Sequence, residues 1–292
     1  MGINLNSETS LYLDTNREIT LGGLITLRQE GEIIINLKNK KTPIRIVHNS
    51  KEACEEIPAI WKYVFNSSKY EFQYIYSAEF KKNEESWPGK NINDSNFSYH
   101  SSKRIIELYR DYQIKPELKW KQSISSKLEK LVKEIGSKII CLHLRNHPPY
   151  TPETSNIDDE IWEDFLKVSS NSNNDIQYIL LGNDLKPDWI SDLKNIIIAE
   201  QILTLDEQLA LISLSNGFIG MASGICASAQ FSKTPYVIIK HPDHHFLEMK
   251  NELGKSSRFP FSNLKQQLWR TKQSKETLCE ALNFVRDEWN EI

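Results

Sequence analysis

Cysteine is scarce. Cys54, Cys141, Cys226 and Cys279 are scattered over 292 residues, and no CxxC pair occurs. That excludes a disulfide framework and the paired-thiol zinc sites, and points to reduced thiols. Positive charge is not in excess either. Lys and Arg number 36 against 39 Asp and Glu, for a net charge of −3, so broad nucleic-acid binding is excluded while a local anion pocket stays open. No apolar run approaches the ~20 residues of a membrane helix. The opening stretch "MGINLNSETSLYLDT" has neither a basic n-region with an apolar h-region nor the Ser/Thr of a myristoylation signal, so a cytoplasmic chain is expected. There is no GxxxxGK[ST], which excludes a P-loop NTPase, and no GxGxxG, which argues against a dinucleotide oxidoreductase.

Apolar residues suffice for a core at 39%, and the length suits one large domain or two medium ones. The pattern in the first part is strand ("SLYLDTN", 10–16), helix opened by Gly22-Gly23 (21–40), strand ("PIRIVHN"), helix ("EEIPAIWKYVF") and strand ("FQYIYS"). Residues 81–98 are polar with Pro and Gly and read as a linker or loop. Helices follow over 99–136. The second part alternates continuous apolar strands with helices: "KIICLHLRN", "IQYILLGND", "KNIIIA", "GFIGMAS" and "PYVIIK". Such strands belong to a parallel sheet covered on both faces. The tail from 262 reads as amphipathic helix through Leu264, Leu268, Trp269, Leu278, Leu282 and Val285. The expected architecture is α/β: a first Rossmann-like domain over 1–115, a second over 116–262, and a C-terminal helix, 263–292, packing back on the first.

In open α/β sheets ligands bind beyond the carboxyl ends of the strands, so the polar strand ends are the candidates. "CLHLRNHPPY" puts His143 and Arg145 on one face of a strand, because residues two apart point the same way. Arginine there offers a planar fork of donors for phosphate oxygens. "LLGND" supplies Gly182, Asn183 and Asp184, residues of a turn that can also meet a hydroxyl or a base edge. In "LTLDEQLALIS", Thr204 and Glu207 form a capping-box pattern, with Asp206 beside them. "MASGICASAQF" ends a strand in Ser223-Gly224 and starts a helix at once, the arrangement that binds phosphate on free N–H groups. "HPDHH", with His241, Asp243, His244 and His245, fits no familiar zinc spacing and reads as a polar loop, so no metal is expected.

The H-x-R strand end, "YILLGND" and "DEQLALISLSNGFIGMASGICASAQF" together resemble the fucosyltransferase superfamily over residues 137–240. The resemblance implies a GT-B fold, two Rossmann-like domains facing a cleft, and metal-independent, inverting transfer from a GDP-linked sugar, with fucose as the candidate sugar. It implies that Arg145 contacts the β-phosphate and His143 positions the nucleotide or the Arg. Ser223 and Gly224 would bind phosphates, with Asp184, beside Gly182 and Asn183, near the base or ribose and Asp206 starting the helix below. Asn146-His147 departs from the family, where an Arg-Gly-Asp-like continuation is usual. The heptosyltransferases share the layout, including a Ser-Gly helix start, and are the near alternative. A sugar-nucleotide 2-epimerase and an inactive nucleotide-sugar-binding protein are the others. Asp14, at the first strand's end, is the catalytic-base candidate, ahead of Glu30 and Glu32. The partners implied are a nucleotide sugar and a glycan or lipid-linked glycan acceptor of surface-polysaccharide assembly, with peripheral membrane contact and no nucleic acid.

Overall fold

The computed structural model describes residues 9–12, 20–38, 43–48, 55–76, 85–87, 102–147, 153–173 and 175–287. The chain divides into two compact units, Met1–Gln122 and Ser123–Ile292. That boundary falls a few residues beyond the expected one, at the start of a helix.

The first unit runs β1 (Thr9–Tyr12), α1 (Leu21–Lys38), β2 (Ile44–His48), α2 (Ala59–Asn66), β3 (Phe72–Tyr76), β4 (Glu85–Trp87) and α3 (Lys103–Tyr112). Its sheet is parallel in the order β3-β2-β1-β4. β4 lies inside the stretch expected to be a linker. Three residues are too few to show periodicity, and pairing with β1 makes the strand. Thr20 precedes α1 and accepts from the Gly23 N–H at 3.4 Å. α1 is buried along most of its length, polar residues included. Gly31 lets it lie against β1, since a Cβ there would stand 2.7 Å from Leu11 Cδ1.

Arg28, Glu30 and Glu32 on α1 are all buried, and each is paired. Arg28 Nε donates to Glu32 Oε1 at 2.7 Å, and its Nη atoms reach Val64 O, Ser67 Oγ and Lys119 O. Glu32 also accepts from Ser68 Oγ (2.6 Å) and the Lys119 N–H (3.0 Å). Glu30 takes Arg104 Nε at 2.9 Å and Trp87 Nε1 at 2.7 Å. These contacts tie β4, α3 and the segment before residue 122 to one helix.

The second unit runs α4 (Gln122–Ile135), β5 (Lys138–His143), α5 (Asp159–Ser172), β6 (Ile176–Leu180), β7 (Ile196–Ile198), α6 (Leu205–Leu211), β8 (Gly217–Met221), α7 (Cys226–Gln230), β9 (Tyr236–Lys240), α8 (Phe246–Leu253), β10 (Gln266–Arg270) and α9 (Lys275–Arg286). The six strands are parallel in the order β10-β9-β8-β5-β6-β7. Counted from β5, this is the doubly wound order 3-2-1-4-5-6, whose direction reverses between β5 and β8.

Two expectations for the tail are corrected. Residues 266–270 are a strand: Gln266 and Leu268 are buried at period two, and Leu264, spaced like a helix partner, is exposed. The last helix packs on α5, β8 and β9 of the second unit's own sheet, where Leu278, Ala281, Leu282 and Val285 form its apolar stripe.

Strand parity sorts the sheet's faces. Ile140, Leu142 and Leu144 of β5 and its end, Ile219 and Met221 of β8, and Val237 and Ile239 of β9 share one core with α5 and α9. The alternate residues, His143, Arg145, Gly220, Ala222 and Lys240, therefore belong to the opposite face, where α7 packs on β8 and β9.

Candidate functional site

The candidate site lies at the carboxyl ends of β5 and β8, where the strand order reverses and open α/β sheets bind their ligands. His143 is the last residue of β5 and only 2% exposed. Its Nδ1 lies 3.2 Å from Leu181 O. Burial holds the imidazole below its usual pKa, with Asp184 opposing, so the ring is neutral. Nδ1–H then donates to Leu181, and Nε2 is a buried acceptor with no partner among the described residues. Space for the ring comes from two glycines. A Cβ on Gly220 would stand 3.0 Å from His143 Cβ, and one on Gly182 3.1 Å from its Nδ1.

Arg145 lies two residues further on, half-buried. Nη1 donates to Ala222 O at 2.8 Å, tying the end of β5 to the end of β8. No carboxylate of the described residues pairs with it. Burial lowers its pKa, and the nearby Asp184 opposes that shift. Asp184 instead accepts from the Asn146 N–H at 3.3 Å.

Gly182 begins the turn after β6 at φ +94°. Its N–H donates to Gln208 Oε1 at 2.8 Å, and its carbonyl accepts from Lys186 Nζ at 2.9 Å. Lys186 also pairs with Glu200 at 2.8 Å. Asn183 is exposed. Asp206 serves α6: it accepts from Thr204 Oγ1 at 2.7 Å, while Glu207 accepts from the Thr204 N–H at 3.0 Å. α6 thus reaches the site through Gln208 and not Asp206. Sequence reading passed over Gln208 because its place in the capping turn already explained the segment.

Ser223 and Gly224 sit in the bend between β8 and α7, half-buried. α7 is only five residues long. Its macrodipole is correspondingly small, so the bend offers polar groups rather than a strong helix field. Cys226 donates to Met221 O at 3.2 Å, and burial pushes its thiol up to about 11.

On the far side of β8, β9 ends at Lys240. The "HPDHH" loop follows, with Ser155 Oγ 3.2 Å from the His244 ring. Burial, then the charge of Lys240, holds His244 down at about 3. Among the described residues no group of three His, Cys, Asp or Glu side chains could hold a metal ion.

The structure therefore brings His143, Arg145, Gly182, Asp184, Ser223 and Gly224 to the neighbouring ends of β5, β6 and β8 and leaves Asn183 and Asp206 to solvent and to a helix cap. Asp14 lies outside the described residues. Glu30 and Glu32 are engaged in buried ion pairs, which removes them as free bases.

No protein-family model matches the chain, and no curated protein matches it. Solved structures do. E. coli ADP-heptose lipopolysaccharide heptosyltransferase II matches with a TM-score of 0.62 at 11% identity, covering 97% of this chain and 99% of that one. A family 9 glycosyl transferase from Veillonella parvula matches at 0.57 and 9% identity, covering 98% and 99%. E. coli heptosyltransferase WaaC with ADP matches at 0.50 and 8%, covering 96% and 98%. At such identities the likeness is one of fold: α/β with two Rossmann-like parallel-sheet units, as in the GT-B glycosyltransferases.

Proposed function

We propose that this chain is a glycosyltransferase that moves a sugar from a nucleoside diphosphate to a glycan hydroxyl, with the donor held by the second unit. The observation that carries the reading is Arg145, a half-buried guanidinium with no carboxylate partner among the described residues, at the switch point of a 3-2-1-4-5-6 sheet. Negative charge develops on the departing diphosphate as the glycosidic bond breaks, and a fixed guanidinium offsets it. In this reading Arg145 does so without a metal ion, the Ser223–Gly224 bend supplies hydrogen bonds, and Gly182 and Asp184 lie on the nucleoside side.

The fold likeness favours the heptosyltransferase-like alternative over the fucosyl one. We therefore take an ADP-linked, heptose-type donor ahead of GDP-fucose. Inversion needs an acceptor for the incoming hydroxyl's proton. Asp14, read from the sequence as ending the first strand, is the candidate that remains, because Glu30 and Glu32 are held in buried ion pairs. The acceptor in this proposal is a glycan or lipid-linked glycan met in the cytoplasm. Among the described residues no helix is long and apolar enough to cross a membrane.

The test is thermal stabilisation by ADP, GDP, UDP and CMP, each with and without Mg²⁺, on the wild type and Arg145→Ala. The expected result is stabilisation by ADP, unchanged by Mg²⁺ and weakened at least tenfold in affinity by the substitution. Preference for GDP would restore the fucosyl reading, and no shift with any nucleotide would sink the proposal.

A further inference from the structure

The ammonium of Lys240, the last residue of β9, has no hydrogen bond or ion pair with any described residue, although burial lowers its pKa against the opposing pull of Cys226 and Glu252. The cations buried within each unit's interior are matched otherwise: Arg28 by Glu32, Arg104 by Glu30 and Lys186 by Glu200. Arg145 and Lys240, neither paired with a carboxylate of the described residues, belong by strand parity to the same face of the same sheet, on either side of β8.

The contacts at Ala222 fix how they stand. The Ala222 carbonyl accepts from Arg145, and its N–H donates to Ile239 O at 2.9 Å, one residue before Lys240. Two strand spacings of ~4.8 Å separate β5 from β9, and both side chains are long. Between them lies the Ala222–Gly224 bend. Glu248 and Glu252 of α8 act on Lys240 only at a distance, and Arg145 and His241 share its surroundings with a neutral His244.

We propose that Lys240 is a second phosphate-binding cation of this site, closing on a diphosphate from the side of β8 opposite Arg145. This rests on the nucleoside-diphosphate reading above and adds a residue to it. A desolvated ammonium without a partner destabilises the empty protein. A diphosphate supplies the missing charge for both cations at once, whereas a nucleoside or a neutral sugar supplies none. Phosphate is favoured over a sugar carboxylate because Arg145 and the Ser223–Gly224 bend crowd the same spot with donors.

Calorimetric titration of the full chain with ADP, AMP, adenosine and inorganic pyrophosphate tests this on wild type, Lys240→Gln and Lys240→Arg. Lys240→Gln is expected to weaken ADP and pyrophosphate by about 10- to 100-fold, the range for a lost hydrogen bond to a charged group. Adenosine affinity should not change, and Lys240→Arg should restore most of the loss. The melting temperature of ligand-free Lys240→Gln should equal or exceed that of the wild type, since an unpaired buried charge has gone. A merely structural lysine would lower that temperature and weaken every ligand alike, which would overturn the proposal, as would ADP binding within threefold of wild type. Failure of the wild type to bind any diphosphate would instead strike down the functional reading, and this inference with it.

Discussion

At Gly182 the backbone runs at φ +94°, and an added Cβ would stand 3.1 Å from His143 Nδ1, Asp184 Oδ2 and Ile225 Cδ1. Backbone strain and crowding act together there. Gly182→Ala should lower unfolding free energy by about 1–3 kcal/mol, read by urea titration, and weaken ADP because the His143 ring must shift. His244 gives the site a pH dependence. Its folded pKa, about 3, lies below the ordinary 6.5. Between those values the unfolded chain binds more protons than the folded one, so stability rises with pH. The contribution is complete above 6.5 and is lost as pH falls towards 3. His143 is depressed in the same direction and adds to the slope. Replacing His244 by Asn should therefore shrink the stability lost between pH 7 and pH 5, and denaturant titrations at the two pH values check it. An equal loss in both proteins would show that His244 is not held neutral.

Helix α1 shows where sequence reading works and where it stops. Its Leu and Ile spacing made the helix legible, yet Glu30 and Glu32 read as free acids. Their partners are far along the chain: Arg104 is 74 residues from Glu30, and Ser68 is 36 from Glu32. Pattern within a segment does not report such pairings. β4 and β10 were missed for a related reason, since one is too short for periodicity and the other has a leucine pair at helical spacing. The network on α1 makes its own prediction. Removing one member leaves a buried charge alone, so Glu32→Leu should cost about 3–5 kcal/mol, whereas Arg28→Met with Glu32→Leu should cost less than that single change. Stability measured around that double-mutant cycle decides it. A double variant as damaged as the sum of the two singles would show that the helix depends on the hydrogen bonds to Val64, Ser67 and Lys119 instead.

For the whole molecule, alternation of strand and helix was enough to expect two parallel sheets, but strand order was not legible. Order depends on which crossover passes over which strand. The switch point follows from order, which is why Arg145 could be singled out as a strand-end residue while Lys240, the last residue of the strand "PYVIIK", was not. The second unit has its own core between the sheet and α5 and α9. If the donor site is confined there, nucleotide and unfolding should be linked unit by unit. A ligand at 100 times its Kd adds about 2.7 kcal/mol to the state that binds it. For a domain of 150–250 residues that corresponds to a rise of roughly 5–11 °C in melting temperature. Scanning calorimetry with saturating ADP should therefore move the transition that reports the 123–292 unit and leave that of the 1–122 unit in place. The two can be assigned with Glu32→Ala, which should lower only the first unit's transition. A single transition moved as one body by both ADP and Glu32→Ala would mean that the two units unfold together, and that nucleotide stabilisation is not confined to the second.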